Sequence, residues 1–568
     1  MKFAVIAVLL LGVTANLFAG ELNEPASPAN RGEKEKQLQA FITTHVAKVE
    51  PMMKEANLTY WAAATSGKEE DYKKFSELQL EIRKIYMNSQ EYAMLKEMRE
   101  SGQIHDKLLS RQLDKLYFAY LSSQIDEGLM KQIVDLSTKV EQDFSTFRST
   151  IEGKKVTANE IREILKTEPN SVKRREAWEA SKQVGPVISA DLIKLVKLRN
   201  EAARKIGFDN FHTLSLTVSE QDVKQIDKIF NELYELTNKP FRQVKADLDK
   251  VLAGKYGVKV KDLKPWHYHD PFFQETPLVY DVDLDSFYKD KDIKAVAIRF
   301  YDGIDLPVGS VVAHSDLYER EGKNPHGFCV DIDRAGDERI LLNLKNNEYW
   351  METILHELGH AVYDVYREPN LPYLLREPAH IFTTEGVAMF FGRLSRNPAW
   401  MQKTLGLTEA QKQEIEKASG KYAQLKQLIF ARWAMVMYDF EKQLYANPDQ
   451  DLNVLWWKLV EKYQFVKKPQ GRNEPDWATK IHIATAPCYY HNYVLGELFA
   501  SQMHHYVVKD VLQLQSDKDV SYVGEKRVGD FMRAKVFAPA AEYRWGDMIE
   551  RAFGEPLTAK YYVEQFVK

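Results

Sequence analysis

Cysteine is almost missing from this sequence, with only Cys329 and Cys488 in 568 residues. That excludes a disulfide scaffold and a cysteine-built zinc site. A chain of this length buries enough core without a bridge, so both are expected as buried thiols. Glycine (27) and proline (21) are also sparse, which favours long helices over tight turns. Neither charge sign dominates. The net charge of −4 makes no electrostatic case for nucleic acid, which needs a basic face. Beyond the N-terminus no apolar run is long enough to span a bilayer. There is no internal repeat and no Gly/Ser linker. With 44% hydrophobic and 28% charged residues, the composition is that of an ordinary globular protein.

The first residues carry one lysine and then the apolar stretch 4–15, with small residues Ala19 and Gly20 following. This pattern predicts a secretory signal over 1–19, and hence an exported protein, periplasmic or extracellular, with no stable membrane insertion. Residues 20–32 are expected to be a disordered lead-in. From 33 to about 147, and again from 158 to about 252, apolar residues recur at three and four, as in amphipathic helices. Residues 264–277 are aromatic, histidine-rich and irregular. Short alternating runs at 311–313, 327–333 and 339–344 predict small strands. Beyond Pro398 the pattern is helical again. One mainly α domain over 33–568, with a small sheet beside the helix described next, is the expected architecture.

That helix spans about 347–366 and carries His356-Glu357-Leu358-Gly359-His360. Histidines four apart lie one turn from each other on one helical face. Both imidazoles can reach one metal ion, and Glu357 can reach a water bound to it. This is the His-Glu-x-x-His pattern of zinc peptidases, with glutamate as general base. Chance would produce it on the order of 0.02–0.03 times in such a chain. Trp350, Met351, Ile354, Leu355, Leu358, Ala361, Val362 and Val365 make the helix apolar around much of its circumference, so it is predicted to be buried. Asn346 and Asn347 are its candidate N-caps.

Catalytic zinc takes a third protein ligand and leaves a position for water. The candidates are Glu377, His380 and Glu385. Proline and asparagine at 369–372 allow the chain to reverse, and a new apolar helix starts near Thr383. Glu385 stands near its beginning and is the preferred third ligand. Glu377, beside Arg376, reads more easily as a surface ion pair.

These residues resemble peptidase family M2, the angiotensin-converting enzyme family of peptidyl-dipeptidases, as a bacterial-type member. The likeness extends to Trp456-Trp457-Lys458-Leu459-Val460-Glu461-Lys462-Tyr463-Gln464, to Asp476-Trp477-Ala478-Thr479-Lys480-Ile481-His482-Ile483, and to Asn57-Leu58-Thr59-Tyr60-Trp61-Ala62-Ala63. It implies one Zn2+ ion and a deep groove between two helical halves, in which dipeptides are released from the C-termini of short peptides. By the same resemblance, His326 and Gly327 lie on a strand that binds substrate backbone. Lys480, with Gln274 and one of Tyr489 or Tyr490, holds the terminal carboxylate. His482 and Tyr493 act at the scissile carbonyl.

Some family positions differ. The cysteine before the strand histidine is Pro325 and its partner position is Asn343, so that disulfide is lost. The chloride-binding arginine is Asn492 or His491, which puts chloride activation in doubt. The acidic residue after the glutamate ligand is Met389, and Glu352 and Asp364 stand where they could replace it as partners of the histidines. An internally cutting zinc oligopeptidase, a monocarboxypeptidase and a non-catalytic peptide-binding protein are the alternatives. The oligomeric state is left open.

Overall fold

Scarce glycine and proline leave long helices with well-formed ends. The computed structural model describes residues 28–277, 279 and 283–567, so the expected signal at 1–19 lies outside the described residues. The first helix, Pro28–Ser66, already starts inside the segment expected to be a lead-in. It stops at Gly67, where φ is +72°, and a side chain there would collide with the Gly322 backbone. A second helix, Glu69–Tyr86, packs back along it. Both lean on Lys107–Leu121 through a satellite core that includes Leu38, Ile42, Leu113 and Tyr120. The main core runs through the rest of the chain and is continuous around the histidine helix.

That helix is Glu348–Val365. The Asn347 side chain caps it by accepting the Trp350 N–H at 3.0 Å, which satisfies one of the amides orphaned at a helix start. Two outside groups fix its position. The Tyr301 hydroxyl donates to the Leu355 carbonyl at 2.7 Å, and Glu348 receives the Ser395 hydroxyl and the Arg396 guanidinium.

Glycines then set how closely three helices approach. A Cβ on Gly359 would stand 2.8 Å from the Ala388 Cα, in the helix Ile381–Gly392. A Cβ on Gly386 would meet the Gly496 carbonyl at 2.9 Å, in the helix His491–Tyr506. The three helices therefore stack with almost nothing between their backbones, as small residues permit.

The sheet beside the histidine helix is one antiparallel pair, Phe328–Asp331 with Glu338–Leu341, in the register Phe328↔Leu341. The strand expected at 311–313 is instead a helical turn, Gly309–Ala313. Its Val312 N–H is taken by the Val308 carbonyl, and the chain reaches the sheet only at Asp316, which bridges Leu341. A three-residue apolar run is too short for periodicity to separate helix from strand. Among the described residues no helix is long and apolar enough to cross a membrane. Cys329 and Cys488 are both buried and are not bonded to each other.

Candidate active site

The close stacking brings three donors together. His356, His360 and Glu385 each offer one atom, and these atoms lie within 4.8 Å of one another. The Glu385 oxygens stand 3.6 Å from His356 Nε2 and 3.9 Å from His360 Nε2. No other such group occurs among the described residues. Two imidazoles and a carboxylate are a donor set that suits zinc and leaves a position open. Glu357, one position after the half-buried His356, is itself fully buried.

His360 Nδ1 is hydrogen-bonded to the Thr384 hydroxyl at 2.7 Å, which leaves Nε2 facing Glu385. Such a partner fixes the ring and its tautomer for metal binding. Thr384 went unnoticed in the sequence, although it directly precedes Glu385. Glu352, expected as a partner of a histidine, stands 3.7 Å from Lys426. Asp364 lies beside Arg367. Glu377 is not a surface pair with Arg376. It lines a large cavity and is held by Lys115 and Arg334. His380 caps the Glu385 helix.

A second cluster extends from Glu385. Tyr489 and Tyr493 are ring neighbours at 5.3 Å, and Tyr493 also meets Tyr490 at 5.3 Å. Tyr490 packs against His482 at 5.2 Å and lies 5.2 Å from the Lys480 ammonium. Lys480 donates to Gln274 Oε1 at 2.7 Å. Lys480, His482, Gln274, Tyr490 and Tyr493 are thus contiguous, although 206 residues separate Gln274 from Lys480. Gln274 is held by its own N–H, which donates to Asp270, as do the amides of Phe272 and Glu275.

Burial sets the charge states here. It pulls the Lys480 ammonium down to about 8, against the pull of Asp270. It lowers the His482 imidazole to about 3, helped by Lys480, so the ring is neutral at pH 7. The Tyr493 hydroxyl is pushed up, first by burial and then by Glu385, and stays protonated as a donor. The strand expected to carry His326 and Gly327 begins only at Phe328. The Gly327 backbone instead abuts Thr353 on the histidine helix, one turn before His356.

Two cavities flank the helix. One of 850 Å³ reaches Thr384, Asp364 and Tyr489, and is walled on its far side by Met53, Phe75 and Tyr86 of the first two helices. The other, of 570 Å³, meets the helix start at Tyr349 and Glu352.

A mainly helical domain with this donor set and a buried glutamate beside it has the layout of a zinc metallopeptidase. The chain belongs to the M2/M3 metallopeptidases: the model of peptidase family M3 matches residues 164–536, and that described as angiotensin-converting enzyme matches residues 32–266. His356, His360 and Glu385 fall in the first of these stretches. Among curated proteins, the angiotensin-converting enzyme of Rattus norvegicus is 23% identical over 535 residues, 87% of this chain and 40% of its own length. That of Mus musculus is 22% identical with the same coverage. The chain thus spans about 40% of the length of these relatives.

Proposed function

We propose that the protein is a peptidyl-dipeptidase, which removes dipeptides from the C-termini of short peptides. The observation that carries this reading is the Lys480–Gln274 pair at 2.7 Å, linked through Tyr490 to Tyr493, whose hydroxyl feels the charge of Glu385. An enzyme that counts residues from a C-terminus must hold the terminal carboxylate at a fixed distance from the reacting bond. A buried ammonium beside an amide and a phenol supplies one charge and several donors for that purpose. Of the two candidate tyrosines, Tyr490 is the one in contact with Lys480 and His482. Tyr489 faces Tyr493 and the larger cavity.

Zinc, held by His356, His360 and Glu385, would supply an activated water and polarise the scissile carbonyl. Glu357 takes the proton of the attacking water and returns it to the leaving amine. Tyr493 and neutral His482 donate hydrogen bonds to the oxygen that becomes negative. Lys480, Gln274 and Tyr490 bind the carboxylate, and the segment His326–Gly327, which leads into the strand Phe328–Asp331, aligns the extended substrate. Asn492 or His491 stands where the family's chloride-binding arginine is expected, so chloride activation is not part of this reading.

Blocked tripeptides with free and amidated C-termini test the reading, with products identified by mass. Release of dipeptides from the free acids alone is the expected result. Equal cleavage of both forms would instead indicate an internally cutting oligopeptidase, and release of single residues a monocarboxypeptidase.

A further inference from the structure

The segment 483–488 links the two halves of the carboxylate anchor, since Lys480 and His482 precede it and Tyr489, Tyr490 and Tyr493 follow. It carries almost no regular structure beyond the short turn His482–Thr485. At Cys488 the backbone takes φ +56°, the left-handed region that non-glycine residues rarely occupy. A strained, irregular segment of this kind keeps its shape only if its surroundings hold it.

Two buried side chains from different helices do so. Glu441, on the long helix Glu409–Ala446, accepts the Cys488 N–H at 2.8 Å. Arg199, on the helix Val184–Lys205, donates to the Ala484 carbonyl at 2.7 Å and to the Ile483 carbonyl at 3.4 Å. The same guanidinium reaches the Tyr445 hydroxyl at 3.1 Å, one helical turn beyond Glu441. Glu441 is 2% exposed and Arg199 6%, and neither has been given a role in the reaction. A carboxyl group and a guanidinium in the core are costly to bury, and surface ion pairing does not explain them. What they hold is backbone, at both ends of one short segment.

We propose that Glu441 and Arg199 are positioning residues that clamp the segment 483–488 and thereby fix Lys480 and His482 relative to Tyr490 and Tyr493. The inference rests on the peptidyl-dipeptidase reading above. The clamp touches neither the metal ligands nor Glu357, so it governs how well a terminal carboxylate is held and leaves the chemical step alone. Small displacements matter in such a site, because a shift of about 1 Å can cost roughly 100-fold.

The test uses the zinc-loaded enzyme and tripeptides with free and amidated C-termini. Glu441→Leu removes the acceptor, while Glu441→Gln keeps an oxygen that can take the Cys488 N–H. Glu441→Leu should raise KM for the free acids about tenfold with kcat close to that of the parent, as expected for lost substrate binding. Its preference for free over amidated substrates should shrink by the same factor, and Glu441→Gln should restore both. Zinc content should be equal in all three. A parent-like KM in Glu441→Leu, or an equal loss on both substrate forms that Glu441→Gln does not rescue, would overturn the clamp while leaving the peptidyl-dipeptidase reading intact. If the parent enzyme itself cleaves both forms equally, that reading fails and the clamp falls with it. Should Glu441→Leu not fold, Arg199→Lys gives the same comparison, since it keeps the charge but not the fork that reaches two carbonyls.

Discussion

Removing Glu357 and removing Thr384 should damage the metal centre in different ways. Glu357→Gln deletes the proposed proton carrier but none of the three candidate ligands. Turnover is expected to fall by about 10²–10⁴, with zinc content unchanged by metal analysis. Thr384→Val leaves both histidines but takes the hydroxyl from His360 Nδ1. Zinc affinity should drop by about 10–100-fold in a chelator competition, whereas Glu352→Gln should hold zinc like the parent. The candidate ligands stand out in the sequence because two of them recur on one helix and the third begins the next. Thr384 does not, because its role depends on how two helices cross. A hydroxyl on an apolar helix carries no spacing signal. The tyrosine register was undecided for a similar reason. Adjacent residues leave a helix start in different directions, and only the fold shows which of Tyr489 and Tyr490 meets Lys480.

The crossing of the helices is itself the second thing the sequence withheld. Helical texture was easy to follow over most of the chain, and the cap at Asn347 was readable. The glycines that let the helices touch look like ordinary weak points in a helix. Gly359→Ala would press a methyl group to within 2.8 Å of the Ala388 Cα, where backbone must move. It should destabilise by about 1–3 kcal/mol and lower activity as well, because the same contact aligns Glu385 with the histidines. Gly254→Ala is the control. It lies in the helix Val223–Tyr256 with nothing within 4 Å of the added atom. There the substitution should stabilise by about 0.4–1 kcal/mol. Thermal unfolding of both variants separates close approach from plain helix propensity. If Gly359→Ala unfolds at the parent temperature, the tight stacking has no energetic weight.

At the scale of the whole molecule, buried titratable groups tie both stability and substrate binding to pH, and two buried carboxyls act on stability with opposite signs. Glu220 is buried, which would raise its carboxyl, but Arg111 outweighs this with help from Lys115 and Arg544 and holds it down at about 2. A depressed acid contributes stability above its ordinary value near 4.5, and that contribution is lost as pH falls from there toward 2. Glu441 goes the other way, since burial pushes it up to about 8. Its contribution is greatest below about 4.5 and is lost as pH rises toward 8. Glu441→Gln should therefore flatten the alkaline side of the stability profile, and Glu220→Gln the acid side, in denaturant titrations across pH. Substrate binding has its own limit. Lys480, at about 8 in the free enzyme, is charged below that pH and neutral above it. KM for free-acid peptides should rise above pH 8, while Lys480→Met should show a high KM at every pH and no such inflection. A parent KM that stays flat from pH 7 to 9 would mean that the ammonium does not bind the substrate carboxylate.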